Sequence, residues 1–120
     1  MTKPLTLIIE DDPQLGQIFS ITLQHDFSVE VLRDGPAALK RLEQVLPALI
    51  VLDLHLPDVS GKTILIKIRA DERLAKVPVI LATADARQAD ELSDQADIVL
   101  LKPISPIQLR EIAARLHSSL

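Results

Sequence analysis

The chain has 120 residues, an apolar fraction of 48% and a formal net charge of −4, which predicts one soluble domain (residues 1–120) with a single packed core. It contains no cysteine, which excludes disulfides, thiolate zinc sites and thiol catalysis. Its acidic balance argues against direct nucleic-acid binding, which depends on phosphate neutralisation by lysine and arginine. No apolar run approaches the roughly 20 residues that span a bilayer, and nothing resembles a targeting segment, so we expect a cytoplasmic protein without a membrane partner.

The first part of the chain alternates short aliphatic runs with helical patterns. Leu5–Ile9 predicts a strand buried on both faces, and Asp12 with Pro13 predicts the cap and first turn of a helix. The residues expected to face inward from this helix are Leu15, Ile18, Phe19 and either Thr22 or Leu23. Residues 27–31 alternate apolar and polar side chains, which predicts a half-exposed strand at a sheet edge.

The middle of the chain repeats the pattern. A second helix is expected between a turn at residues 34–36 and Pro47, which ends it. Its inward residues are predicted to be Ala38, Leu39, Leu42 and Leu46. Leu49–Asp53 predicts a third buried strand, the breakers in residues 55–61 predict a loop, and a third helix is expected at about 62–70.

The last third predicts two more strands and two more helices. Val79–Thr83 and Ile98–Leu101 are the strands, and a short polar helix is expected between them, within residues 86–95. Ser105 and Gln108 have the spacing of a capping box that opens the final helix. The stripe expected to be buried on this helix is Leu109, Ile112, Ala113 and Leu116.

This alternation predicts an α/β fold with a doubly wound parallel sheet, a flavodoxin-like (βα)5 arrangement with right-handed crossovers. Strand order 2-1-3-4-5 fits best, because the second strand is the half-exposed one. Strands 1 and 3 are then neighbours at the switch point of the sheet, where open α/β sheets bind their ligands.

Charged residues follow three of the predicted strands. Glu10 and Asp11 follow the first strand, Asp53 ends the third, and Lys102 follows the fifth. Carboxylates held this close repel one another and raise each other's pKa values, and a hard cation with oxygen ligands relieves the repulsion. The sequence therefore predicts a divalent-metal site around a reactive aspartate.

Further residues at strand ends complete a recognisable pattern. They are Pro57 and Gly61 after the third strand, Thr83 and Ala84 at the fourth, and Lys102 with Pro103 after the fifth. With the acidic pair, and in this order, they make the chain resemble the receiver domain of two-component response regulators, the CheY-like superfamily, over its whole length.

The resemblance implies a role for each matching residue. Asp53 is the expected phosphoacceptor, with Lys102 and Thr83 as its catalytic partners. Asp11 and Asp53 are expected to bind Mg²⁺, for which Mn²⁺ can substitute. Glu10 is expected to act on the ion through water. The resemblance further implies a metal-binding backbone carbonyl at His55 and a cis peptide bond before Pro103.

Some positions depart from the family pattern. Val99 occupies a switch position where many receivers have an aromatic residue. A branched aliphatic side chain has few rotamers, so we do not expect coupling to Thr83 by the rotamer change of an aromatic ring. The interval from Thr83 to Lys102 is shorter than is usual, and the shortening falls in the fourth helix and its loop, within residues 85–96. His55 and Asp85 occupy positions that flank the phosphoryl group and are expected to tune its hydrolysis.

The expected function is therefore phosphorylation-dependent signalling. A histidine kinase or phosphotransfer protein donates to Asp53, and an unidentified protein partner reads the face formed by helix 4, strand 5 and helix 5. We expect no output domain in these residues and no chemistry beyond self-phosphorylation and self-dephosphorylation, and a homodimer is one arrangement that fits. One alternative is an interaction module that works without phosphorylation. A less favoured alternative is a small phosphatase that forms an aspartyl phosphate. Such an enzyme needs a second acid two residues after the nucleophile, and here that residue is His55.

Overall fold

The computed structural model describes residues 3–118, which form a five-stranded parallel sheet in the order β2-β1-β3-β4-β5. The elements are β1 (Leu5–Ile9), α1 (Pro13–Leu23), β2 (Ser28–Leu32), α2 (Gly35–Gln44), β3 (Leu49–Asp53), α3 (Gly61–Ala70), β4 (Val79–Thr83), α4 (Ala86–Leu92), β5 (Ile98–Leu101) and α5 (Pro106–Ser118). The predicted fold class and strand order are confirmed. Within the described residues, no helix combines the length and apolar character needed to cross a bilayer.

The core lies on both faces of the sheet. β3 and β4 are buried along their whole length, which explains why their sequences are almost purely aliphatic. On one face, β1 and β3 pack against α2, α3 and α4 through a cluster that includes Leu7, Ile50 and Ile64. On the other face, a cluster that includes Ile8 and Phe19 packs the sheet against α1 and α5.

Two residues that we expected to face inward are exposed. The buried stripe of α1 passes through Phe19 and Leu23, so Ile18, about 100° away from Phe19 around the helix, lies off the stripe and is 44% exposed. α2 ends at Gln44 and the backbone becomes extended at the next residue. Leu46 therefore lies beyond the helix and is 60% exposed.

The helices begin at the edge of the sheet where the strands end, and side-chain caps fix their starts. Asp12 caps α1 as predicted, accepting a hydrogen bond from the Gln14 N–H at 2.9 Å. The Ser105 hydroxyl accepts one from the Gln108 N–H at 3.3 Å at the start of α5. Ser60 caps α3, so this helix begins at residue 61, one residue before the predicted start.

Gly61 allows α3 to begin directly against the end of β3. A Cβ at this position would lie 2.5 Å from the Asp53 carbonyl oxygen and 2.6 Å from the Leu54 Cα. The Gly61 N–H donates to the Leu54 carbonyl at 3.2 Å. The absence of a side chain at residue 61 thus allows the start of α3 to approach the backbone that carries Asp53.

α4 is as short as predicted, with seven residues, and packs on the sheet through the buried Leu92. The segment after it is held by Arg69 of α3. The Arg69 guanidinium donates to the Gln95 carbonyl at 2.6 Å and to Asp97 Oδ1 at 3.0 Å. Because Asp97 Oδ1 also accepts from the Val79 N–H at 2.8 Å, the entry to β5 is tied to both α3 and β4.

Candidate functional site

The topology brings the predicted acids together. β1 and β3 are neighbours, with Ile9 opposite Leu52, so the residues that follow them meet at the carboxyl edge of the sheet. Glu10, Asp11 and Asp53 each offer a carboxylate oxygen, and these oxygens lie within 4.8 Å of one another. Glu10 and Asp53 are each 2% exposed, whereas Asp11 is exposed to solvent.

Lys102 lies beside the two buried carboxylates. Its Nζ is 3.2 Å from Asp53 Oδ1 and 3.6 Å from Glu10 Oε1, and its side chain is 24% exposed. The Lys102 N–H donates to the Thr83 carbonyl at 2.8 Å, which extends the pairing of β5 with β4. The peptide bond between Lys102 and Pro103 is cis, as the family resemblance implies. The ammonium is thus fixed close to the acids and partly compensates their charge.

A backbone donor orients the Asp53 side chain. Asp53 Oδ1 accepts a hydrogen bond from the His55 N–H at 3.0 Å. The same oxygen faces Lys102, so two donors converge on one side of the carboxylate. His55 itself is exposed at the rim of the site, and its carbonyl remains a predicted metal ligand.

Glu10 is the most perturbed acid of the site. Burial and the adjacent Asp53 carboxylate raise its pKa to about 8, although the Asp12 N–H and Lys102 act in the opposite direction. Glu10 Oε2 accepts from the Asp12 N–H at 3.3 Å. Its Oε1 is buried and accepts no hydrogen bond from the described residues. In the absence of a cation, burial and the adjacent Asp53 therefore favour the protonated form of Glu10.

The donor set fits a magnesium ion. All side-chain donors of the cluster are carboxylate oxygens, the ligand type that Mg²⁺ prefers. When ionised, the three carboxylates and Lys102 leave a net negative site that a divalent cation balances. The buried Glu10 Oε1, which lacks a hydrogen-bond partner among the described residues, is an acceptor that such an ion or its water would satisfy.

Thr83 lies next to this cluster and faces α4. Asp53 is opposite Ala82 in the β3–β4 register, so Thr83 follows directly, and it is 3% exposed. Its hydroxyl accepts from the Asp85 N–H at 3.0 Å and donates to Gln88 Oε1 at 3.5 Å. Gln88 was not among the residues predicted from the sequence. The available signal was an uncharged polar side chain near the start of the helix that follows the strand bearing Thr83.

Two other predicted site residues have clear structural positions. Asp85 caps α4, where its Oδ1 accepts from the Arg87 N–H at 2.9 Å. Val99 is opposite Leu81 in the β4–β5 register and packs, partly buried, against the core cluster beneath α2, α3 and α4. Its side chain has no polar atom, so it cannot exchange a hydrogen bond with Thr83.

A solved receiver domain with the same architecture indicates the class of protein to which the chain belongs. The receiver domain of the sensor histidine kinase PA1611 from Pseudomonas aeruginosa matches 98% of this chain, and this chain covers 99% of it, with a TM-score of 0.88 and 28% identity. That structure has a magnesium ion coordinated in its active site cleft. The fold and the acidic edge of the sheet thus place the chain among the CheY-like domains of two-component signalling.

The sequence comparison gives the family. The response regulator receiver domain family matches residues 6–114, and the chain belongs to it. It is 36% identical to the DNA-binding dual master transcriptional regulator RpaA of Synechocystis over 98% of this chain and 49% of RpaA. It is 32% identical to the sensor histidine kinase TmoS of Ectopseudomonas mendocina over 97% of this chain and 12% of TmoS. The chain therefore spans about half the length, or less, of these curated relatives.

Proposed function

We propose that this receiver domain accepts a phosphoryl group on Asp53 from a histidine kinase or a phosphotransfer protein, in a Mg²⁺-dependent reaction. The observation that carries the proposal is the buried Asp53 carboxylate 3.2 Å from the Lys102 ammonium, within an acidic cluster that fits a divalent cation. Phosphoryl transfer depends mostly on positioning and on neutralising charge, and this arrangement supports both.

Asp53 acts as the nucleophile. A carboxylate oxygen forms a bond to phosphorus as the bond between phosphorus and the donor's histidine nitrogen breaks, which leaves an acyl phosphate on Asp53 and a histidine ring that takes up a proton. The His55 N–H and Lys102 hold one carboxylate oxygen on one side. Lys102 also offers its charge to the transferred group.

The acidic residues would hold the metal. Asp11 and Asp53 are the proposed direct ligands, together with the His55 carbonyl, and Glu10 acts through water. When bound, Mg²⁺ neutralises the negative oxygens of the phosphoryl group. Mn²⁺ is expected to substitute, because it takes the same oxygen ligands.

Thr83 is proposed to couple phosphorylation of Asp53 to the rest of the domain. Its hydroxyl is proposed to donate to a phosphoryl oxygen and so to report the modification, while His55 and Asp85, both exposed at the rim, tune hydrolysis. The face formed by α4, β5 and α5 is proposed to contact a protein partner or a second copy of the chain. Leu101 and Ile107, on β5 and α5, support this, since they are 51% and 73% exposed.

Acetyl phosphate tests the proposal directly. Incubation with acetyl phosphate and Mg²⁺ should add one phosphoryl group to the intact mass, and EDTA should prevent the gain. Asp53→Asn should abolish it, whereas Asp58→Asn, which changes an exposed acid in the following loop, should not. No gain in the wild type would instead favour an interaction module that works without phosphorylation. Sustained hydrolysis of a phosphomonoester would favour a phosphatase.

A further inference from the structure

We infer that Gln88 is a positioning residue of the phosphorylation switch, which holds the Thr83 hydroxyl against α4 in the resting state. The inference rests on the proposed function and deepens it, because it names the group that Thr83 must leave in order to contact a phosphoryl group on Asp53. Because residue 99 is a valine and not an aromatic residue, Thr83 needs another route of coupling to the rest of the domain.

The hydrogen bonds of Thr83 make its two states exclusive. The hydroxyl accepts from the Asp85 N–H at 3.0 Å and donates to Gln88 Oε1 at 3.5 Å. A hydroxyl has a single proton to donate. Thr83 therefore cannot donate to Gln88 and to a phosphoryl oxygen at the same time. Because Thr83 is 3% exposed, bulk water competes little for that proton.

The neighbouring side chains leave Gln88 as the acceptor. Val99 has no polar atom, and Leu101, which lies opposite Thr83 in the β4–β5 register, is likewise aliphatic. Asp85 Oδ1 accepts from the Arg87 N–H at the cap of α4, and the hydrogen bond that the Thr83 hydroxyl donates goes to Gln88 Oε1. Gln88 is half-buried on the helix, and its side-chain amide oxygen contacts the Thr83 hydroxyl.

Loss of this bond acts on the end of α4 nearest the phosphorylation site. α4 has seven residues and packs through Leu92, which is at its far end. Beyond that end, Arg69 holds the Gln95 carbonyl and Asp97. When Thr83 turns to the phosphoryl group, the first turn of α4 loses the hydrogen bond between Gln88 and Thr83, while the following segment stays anchored. The change is thus concentrated where α4 meets the site.

Beryllium fluoride, which mimics a phosphoryl group on aspartate, provides the measurement. Gln88→Leu removes the competing acceptor and should raise the apparent affinity for beryllium fluoride in the presence of Mg²⁺ by about two- to fivefold, the range expected for one weak hydrogen bond. Gln88→Glu supplies a stronger, charged acceptor and should lower the affinity. Glu91→Leu, at an exposed position of the same helix, should leave it unchanged.

A double-mutant cycle separates this mechanism from a general effect on α4. In a Thr83→Val background, the effect of Gln88→Leu should disappear, because the hydroxyl that Gln88 holds is absent. In the wild type, the side-chain amide resonance of Gln88 should shift when beryllium fluoride binds. An unchanged affinity in both Gln88 variants, or the same effect with and without Thr83, would overturn the inference. A wild type that takes up neither beryllium fluoride nor a phosphoryl group would overturn the proposed function itself.

Discussion

The buried Glu10 gives the metal-free protein a distinctive pH dependence. Burial and the neighbouring Asp53 raise the pKa of Glu10 from 4.5 to about 8, so the folded state retains a proton that the unfolded chain releases. The stabilisation that comes from the protonated Glu10 is then fully present below pH 4.5 and is lost as the pH rises. Above about pH 8, this contribution to the free energy of unfolding no longer changes. Glu10→Gln keeps the shape of the protonated acid but cannot ionise, so it should remove this dependence.

The size of the effect follows from the pKa difference. A rise from 4.5 to about 8 corresponds to about 5 kcal/mol of unfolding free energy, most of which is lost between pH 5 and pH 8. At pH 5 the wild type and Glu10→Gln should therefore be nearly equal in stability. At pH 8 and without divalent cations, the variant should be more stable by about 4 kcal/mol.

Urea unfolding in EDTA, followed by far-ultraviolet circular dichroism, measures this difference across the pH range. The chain has no Trp or Tyr, so intrinsic fluorescence is of no use. Glu43→Gln, at an exposed position of α2, is the matched control and should keep the wild-type slope. Mg²⁺ should flatten the slope of the wild type, because it binds the folded, ionised site. The reasoning fails if Glu10→Gln retains the slope or is the less stable protein at pH 8.

Three further predictions concern the framework of the fold. Thr6→Val should stabilise the protein by about 1 kcal/mol in urea unfolding, because the Thr6 hydroxyl is buried without a hydrogen-bond partner in the described residues; a loss of stability would contradict this. Arg69→Ala should cost about 2 kcal/mol in the same assay, since Arg69 links α3 to the segment before β5, whereas the exposed Arg87→Ala should cost little. Gly61→Ala should destabilise the domain and slow phosphorylation by acetyl phosphate, because the added Cβ meets the Asp53 carbonyl; wild-type kinetics would refute this.

Local sequence patterns predicted most of the secondary structure. Aliphatic runs such as Leu49–Asp53 cannot remain in water and fit a strand covered on both faces. Caps such as Asp12 satisfy the free N–H groups at the start of a helix and therefore mark it. The half-exposed pattern of residues 27–31 identified β2 as an edge strand. These features depend on neighbours along the chain, which is why the fold and strand order could be predicted.

Helix faces were less certain, because burial depends on the exact path of each helix. Ile18 has the spacing of an inward residue, yet the stripe of α1 that contacts the sheet passes through Phe19 and Leu23. Leu46 fits the period of α2, but the helix ends before it. Both errors arise because a shift of one residue around a helix, or of one turn along it, moves a side chain from the core to the surface.

The sequence by itself determined which charged groups stand at the carboxyl ends of the strands, because strands and their ends are encoded locally. Only the tertiary structure decided what these groups do to one another. Lys102 is separated from Asp53 by many residues yet lies 3.2 Å from it, and the pKa of Glu10 rises through burial and through Asp53. The bond between Thr83 and Gln88 likewise depends on how α4 packs. Distances, desolvation and the choice of hydrogen-bond partner arise from packing between distant segments, which no local pattern specifies.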